Sequence, residues 1–504
     1  MSTRRNSLDV KVVPISTNSE TKAVSNGSEE LSATSMQPRS IDLMGGVTMI
    51  ISLMIGSGIF TFAGEIHGHV NSTGLALCIW FTAGLLALTG ALCYAELGTM
   101  IPGSGGEAQY LARGFGPLFT YLFDWTSILI LKPGTVALML RSFSQYVIEL
   151  VKVLSTSTYF NDKVIFDYWV GGVACVGCIT VTSLSAYSHR WSNRILDVLT
   201  WSKVIALGLI IGGGALFCIV KDASIFSQNV LTSPFSETVP TAKTDKFDFS
   251  KLLSSLVMAL CAGLWGFEGW NNLNIVSGDL KNPKRNLPLA IWISVGSVLG
   301  LYLATLLAYY CVIPAKEFME STTVGLVFGK AVFNALVSEK LDWIGAALLA
   351  ASIMGSTFSA ALSSMMTSSE IIVLSSNNGN IPKTFGTIDK KTGTAFNAYA
   401  MQGALSVLLT IIFSDGLITL YTFPTWIFYT LCAIVLLKLR VTSPQLERPY
   451  RVLTTTPILF LIACALLIGS LSYEKFTEVA VSLLVISAGI PVYYIYNSGS
   501  DTKQ

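Results

Sequence analysis

Apolar residues in this chain gather into twelve runs, roughly 43–66, 74–99, 118–150, 167–187, 195–219, 252–277, 287–313, 343–374, 397–413, 417–437, 453–471 and 476–496, separated by polar connections. A run of about 20 apolar residues is what a helix needs to cross a bilayer, so the pattern predicts an all-α membrane protein with twelve transmembrane helices. Two runs are interrupted by glycine near their middle, at Ile55-Gly56-Ser57-Gly58-Ile59-Phe60 and at Gly263-Leu264-Trp265-Gly266-Phe267-Glu268-Gly269-Trp270. Glycine lets a helix unwind there and leaves backbone N–H and C=O groups without partners, which hydrocarbon does not tolerate. Two such breaks, each opening a set of five runs, form a weak inverted-repeat pattern and imply a polar ligand held near the membrane midplane. Runs eleven and twelve then stand outside the repeat.

An even number of spans returns the C-terminus to the side of the N-terminus. Short loops on that side carry Arg190, Arg194, Lys281, Lys284, Arg285, Lys383, Lys390, Lys391, Lys438, Arg440, Arg448 and Arg451, whereas the opposite loops hold Asp222, Glu237, Asp245, Asp248, Glu317, Glu320, Glu339 and Asp342. The positive-inside rule therefore places both termini in the cytoplasm, with long outside loops still carrying Lys221, Lys243, Lys246, Lys316 and Lys330. Residues 1–40 read as a disordered tail, 41–496 as the transmembrane domain and 497–504 as a short cytoplasmic tail. The tail has no apolar core, so no cleavable leader is expected and the first span serves as its own insertion signal. Residues 316–338 alternate at helical spacing, which fits either an amphipathic helix over the outer vestibule or a solvated loop.

Composition agrees: 504 residues, 52% hydrophobic and 12% charged, with a mean hydropathy of +0.61, are too apolar for a soluble domain of this size. A net charge of +2 without a basic patch excludes nucleic acid as a partner. All nine cysteines fall inside apolar stretches, so no disulfide framework is indicated. Cys175 and Cys178 have redox-like spacing but no His or acidic neighbour, and read as small apolar residues.

Several motifs occur in order along the chain: MIGSGIF at Met54–Phe60, CYAELGT at Cys93–Thr99 followed by SGGE at Ser104–Glu107, GWNNLN at Gly269–Asn274, NPKRNLPLA at Asn282–Ala290, and LERPY at Leu446–Tyr450. Together they resemble the L-type amino acid transporters of the amino acid–polyamine–organocation superfamily, over about residues 43–496. The resemblance implies a LeuT-type 5+5 inverted-repeat fold with two extra C-terminal helices, and sodium-independent transport of amino acids.

Every amino acid zwitterion presents a carboxylate and an ammonium, so a general transporter reads these two groups with its backbone. The N–H groups of Ser57, Gly58 and Ile59 open the second half-helix of the first break and suit the carboxylate, aided by the helix dipole. Carbonyls around Met54, Ile55 and Gly56, and those near Trp265 and Gly266, suit the ammonium. The alternative reading of Gly-Ser-Gly is close helix packing alone. The resemblance makes Trp265 a bulky gate over the substrate. Phe267, Thr135, Ser356 and Trp426 are candidates for side-chain selection or for ordinary bundle packing, and Thr425-Trp426 departs from the Asn-Trp of some mammalian members.

Charges inside apolar runs are the remaining candidates. Lys203 costs at least ~2.5 kcal/mol in a span unless it points inward or snorkels. The resemblance implies that it bridges the first and eighth spans where sodium-coupled relatives bind an ion. Glu268 departs from the small residue of mammalian members and fits three roles: a proton-titrating group, a partner for a cationic substrate, or a carboxylate accepting N–H groups freed by the break. Glu96, with Asp279, Lys281, Lys284 and Arg285, forms a candidate inner gate or a plain interfacial charge set. Asp124, Lys132 and Arg141 have no evident role, although Lys132-Pro133 matches a basic-Pro pair in the family.

The mammalian members pair with a single-span glycoprotein through a cysteine between spans three and four. That loop, about 151–166, has none here, so no disulfide-linked heavy chain is expected. Asn71-Ser72-Thr73 is a sequon in a loop too short for easy glycosylation, and the tail with Arg4-Arg5-Asn6-Ser7 suits phosphorylation or ubiquitination. The three histidines, His67, His69 and His189, lie near loops with no nucleophile–base–acid set, so an enzyme is not expected, and His67-Gly68-His69 lacks a third ligand for a metal. No cofactor or metal is expected. The expected function is sodium-independent transport of neutral, large or sulfur-containing amino acids by alternating access at the plasma membrane, as exchanger or facilitator. The alternatives are a proton-coupled permease, a non-transporting nutrient receptor, or a channel, which would need a continuous polar stripe.

Overall fold

The computed structural model describes residues 41–101, 103–155, 159–221, 249–377, 379–389, 392–413 and 416–498. The tail with Arg4–Ser7, the acids and lysines of 222–248, Lys390, Lys391 and the residues beyond Ser498 lie outside the described residues. Among the described residues there are helices and no strand, apart from one isolated parallel bridge between Ile41 and Leu280.

Asp42 caps α1 (Leu43–Met54) by accepting the Gly45 N–H at 2.7 Å. The chain then unwinds over 55–57 and restarts as α2 (Gly58–Val70), bent 47° from α1. Asn71 closes α2 in the left-handed region and Ser72 caps α3 (Thr73–Met100), with Ser72 and Thr73 both buried, so the sequon is a tight helix turn. A glycine loop leads into the short amphipathic α4 (Glu107–Phe115). The third span is α5 (Pro117–Thr126), a π-helical turn at Ser127–Leu131, and α6 (Lys132–Ser155). The π turn has a local cause: Pro133 brings no N–H and would strike the carbonyl four residues back, so the helix widens just before it.

Helices α7 (Lys163–Tyr187) and α8 (His189–Val220) complete the first set of five spans. The second set begins with α9 (Phe249–Gly266), which breaks into turns before α10 (Asn272–Ile275), followed by α11 (Pro283–Val312). Helices α12 (Ala315–Glu320) and α13 (Val324–Leu336) pack inward through Phe318, Val324 and Phe328, all buried. They lie against α2, where a Cβ on Gly64 would stand 2.4 Å from the Ser321 carbonyl oxygen. The 316–338 segment is thus a packed cap rather than a solvated loop. Next come α14 (Asp342–Asn377), α15 (Phe396–Ile412), α16 (Leu417–Thr442), α17 (Thr455–Glu474) and α18 (Phe476–Ser498).

Nine helices, or ten spans with the bent α1–α2 pair counted as one, are long and apolar enough to cross a membrane among the described residues. The twelve expected from the sequence add α9 continued through its break and the 17-residue α15.

Candidate functional site

The two breaks touch. A Cβ built on Gly58 would lie 2.3 Å from the Gly266 Cα, and one on Gly269 (φ +114°) would lie 3.1 Å from the Leu53 carbonyl carbon. Glycine is therefore required for close approach as well as for unwinding, so the packing reading of Gly-Ser-Gly is realised. Tyr302 of α11, absent from the sequence candidates, ties the breaks together: its hydroxyl stands 2.9 Å from both the Met54 and the Gly266 carbonyl oxygens. Its ring packs on Trp80 and Phe267.

The first intrahelical bonds of α2 run from Phe60 and Thr61 to the Ser57 carbonyl, at 3.0 and 2.9 Å. The N–H groups of Ser57, Gly58 and Ile59 precede them and have no intrahelical acceptor. The Ser57 hydroxyl is buried without a hydrogen-bond partner. Among the neighbouring carbonyls, Met54 accepts the Gly56 N–H at 2.9 Å, Gly56 accepts the Ser356 hydroxyl at 3.2 Å, and Trp265 accepts the Glu268 N–H at 3.1 Å. The Gly56 and Trp265 carbonyls each retain a second lone pair, whereas both of Met54's face donors, Gly56 N–H and the Tyr302 hydroxyl.

Beside the breaks lies a cavity of about 380 Å³ that runs to the α4 loop, the side of the membrane on which α1 begins. Met54, Gly56, Ser57, Gly58, Thr135, Trp265 and Glu268 all line it. Trp265 is buried, stacks edge-on against Tyr421 at 4.8 Å between ring centroids, and leaves its indole N–H without a partner. Thr135 donates to the Leu131 carbonyl at 2.8 Å, inside the π turn. Glu268 accepts the Tyr429 hydroxyl at 2.6 Å.

Other candidates stand elsewhere. Ile55 and Ile59 bury their side chains in the core, and Phe267 is enclosed by Trp80 and Tyr302. Ser356 sits behind the break, holding the Gly56 carbonyl. Trp426 packs on Phe460 of α17 and on Tyr429, so it faces the bundle rather than the cavity. Its neighbour Thr425 lines the cavity instead, with Tyr421 and Tyr429 one turn to either side on α16. That spacing of 421, 425 and 429 was a readable signal. So was the pair Asn271-Asn272 just past the second break, which also lines the cavity.

Glu107 opens α4 and lines the same cavity, buried and accepting a hydrogen bond from the Asn271 side chain. Burial pushes its carboxyl up from the ordinary carboxylate range, and the Asn271 bond opposes this. The Tyr110 hydroxyl donates to the Asn274 side-chain oxygen at 3.0 Å, and Gly105 N–H donates to the Ile275 carbonyl at 2.8 Å. The α4 loop thus holds the far end of the second break in place.

Lys203 is buried and donates to the Ser52 carbonyl at 2.5 Å, its one hydrogen bond among the described residues. The link to the first span is present, whereas the eighth span meets span five through Ser202, against which Gly355 packs. Glu96 does not meet the Asp279–Arg285 cluster. Its fully buried carboxylate takes Arg440 in two bonds of 2.9 and 2.5 Å, accepts the Val452 N–H at 2.8 Å, and lies 3.8 Å from Arg448. Within the cluster, Lys284 pairs with Glu447 at 2.6 Å and Asp279 is bonded through its backbone carbonyl to Ile41 N–H at 3.1 Å. His67 bonds Tyr310 at 3.0 Å while His69 lies 3.8 Å from Glu65, two directions on one helix, and no cluster of three metal-ligating side chains occurs among the described residues.

Two broken helices abutting beside a cavity lined by apolar walls and a few polar groups, in a bundle of membrane spans, define a transport protein of the broken-helix class. The sequence matches the amino acid permease family over residues 42–495. It is 30% identical to the mouse (Mus musculus) b(0,+)-type amino acid transporter 1 over 94% of this chain and 90% of that protein. It is also 30% identical to the human (Homo sapiens) Asc-type amino acid transporter 1, over 91% and 82% respectively, and 29% identical to the human cystine/glutamate transporter, over 91% and 85%. The chain belongs to the amino acid permease family, among the L-type amino acid transporters of the amino acid–polyamine–organocation superfamily.

Proposed function

We propose that this protein carries amino acids across the membrane by alternating access, without sodium, as an exchanger or facilitator. Its substrates are neutral amino acids with large or sulfur-containing side chains. The observation that carries this reading is the run of N–H groups at Ser57, Gly58 and Ile59 without an intrahelical acceptor, with Ser57 and Gly58 lining the cavity and the buried Ser57 hydroxyl also lacking a partner. Such a helix N-terminus binds a carboxylate, and the remaining lone pairs of the Ile55, Gly56 and Trp265 carbonyls accept the ammonium. Apolar walls at Trp265, Met139, Tyr421 and Phe428 favour a bulky side chain.

Sodium independence is supported by Lys203: an ammonium already satisfies the Ser52 carbonyl behind the first break. The basic loops of 190–194, 281–285 and 438–451 support both termini being cytoplasmic, in the plasma membrane on this reading. The cavity then opens inward. No cysteine stands in the loop between spans three and four to anchor a heavy chain.

A second reading, proton-coupled uptake, is favoured by Glu268, a carboxyl on the cavity wall held by Tyr429. Purified protein in liposomes separates these readings. Uptake of labelled amino acids that is stimulated by internal amino acid and indifferent to sodium supports the exchanger, and loss of a pH dependence in Glu268→Gln supports proton coupling. Wild-type liposomes that take up no amino acid under any of these conditions sink the transporter reading and leave a receptor.

A further inference from the structure

Asp124 is a charge in an apolar span that neither the breaks nor the α4 loop uses. It lies on α5, eight residues before Lys132 and fifteen before Met139. Met139 marks the level of the first break, because a Cβ on Gly56 would touch its methyl group at 3.0 Å. At about 1.5 Å per residue, Asp124 stands about 22 Å from that level, toward the side on which α1 begins. An amino acid held at the breaks is too short to reach it, yet both places line one continuous cavity.

The carboxylate is held in a defined pose. Its Oδ2 accepts the Ser375 hydroxyl at 3.2 Å, from the end of the eighth span, and the Asn380 amide at 3.5 Å, from the turn just past it. Both donors are neutral, and among the described residues no Lys, Arg or His forms an ion pair with Asp124. The charged groups lining this cavity are Glu107, Asp124, Lys132 and Glu268, three carboxyls against one ammonium, and the ammonium is two turns away. A metal ion needs several oxygen ligands, and the described residues hold no such cluster. A carboxylate fixed through one oxygen by neutral donors, on a residue that lines the cavity, suits a monovalent ammonium.

We propose that Asp124 is a second station for the substrate's α-ammonium, on the path between the breaks and the side where α1 begins. This rests on the transporter reading and adds a site to it. A substrate passing between the breaks and that side of the membrane passes Asp124 on its way.

The test measures KM separately on the two sides of oriented proteoliposomes, with labelled leucine and methionine. Asp124→Asn keeps an oxygen for Ser375 and Asn380 but removes the charge. It raises KM about fivefold to tenfold on the side where α1 begins, leaves the opposite KM within about twofold, and Asp124→Glu recovers most of the loss. Asn380→Lys retains Asp124 but places an ammonium beside it, giving the same one-sided rise if Asp124→Asn does not fold. Ser375→Ala keeps the charge and leaves both KM values near wild type. Equal rises on both sides, or no rise on either, overturn the station while leaving the transporter reading intact. A wild type that transports neither amino acid overturns both.

Discussion

Gly58→Ala separates the chemistry of the breaks from their packing. The added Cβ would lie 2.3 Å from the Gly266 Cα and 3.1 Å from the Gly266 nitrogen. Carbon atoms rest about 3.5–4.0 Å apart, so one break must retreat by about 1.2–1.7 Å, and the obstacle is backbone rather than a movable side-chain tip. Overpacking of this kind costs about 1–3 kcal/mol in stability. The same displacement takes the N–H groups of Ser57, Gly58 and Ile59 out of hydrogen-bond range of a carboxylate placed for the native geometry. Losing one charge-assisted bond, about 1.5–3 kcal/mol, raises KM by about tenfold to a hundredfold. Gly56→Ala is the control, since its Cβ would meet only the flexible end of Met139, at 3.0 Å. Uptake of labelled amino acid in proteoliposomes, with Tm measured on the purified protein, reads both effects. Gly58→Ala with KM and Tm indistinguishable from wild type, or Gly56→Ala with the larger loss, refutes the reasoning.

Three further outcomes follow from named contacts. Arg440→Met strips the fully buried Glu96 carboxylate of its two-bond partner and costs about 3–5 kcal/mol, read as a fall in Tm, while Glu96→Gln combined with Arg440→Met restores part of it because no uncompensated charge remains. Trp265→Ala raises KM for large neutral amino acids with modest change in Tm, whereas Trp426→Ala, which empties a packing site against Phe460, lowers Tm and leaves KM near wild type. Lys203→Met leaves the Ser52 carbonyl without its donor and abolishes most uptake, and wild-type uptake is equal in sodium and choline buffers; a sodium requirement in the wild type contradicts the role given to Lys203.

Both breaks were legible in the sequence because clustered glycines recur at corresponding places, in the run that opens each set of five spans. Their mutual contact was not, since Gly58 and Gly266 are some 200 residues apart and only packing brings a missing Cβ opposite a missing Cβ. Side-chain selection was read less well for a geometric reason. In an unwound segment the direction of each side chain is free of helical periodicity, so Trp265 and Glu268 reach the cavity while Phe267 between them does not. On α16 the period does hold, and a shift of one residue exchanges the cavity-facing Thr425 for the bundle-facing Trp426. Tyr302 sits in an unremarkable apolar run and is identifiable only from the two carbonyls it meets. Glu96 was noticed as a charge, but its partner Arg440 is 344 residues away, and the interfacial cluster nearer in sequence does not meet it.

The central claim is that the first break holds the substrate carboxylate at the start of α2. A structure of the protein with a bound amino acid tests it most directly. The carboxylate lies within hydrogen-bond distance of the Ser57, Gly58 and Ile59 N–H groups, with the ammonium toward the Ile55, Gly56 and Trp265 carbonyls. A carboxylate seated instead on Lys132, with the start of α2 unoccupied, contradicts it.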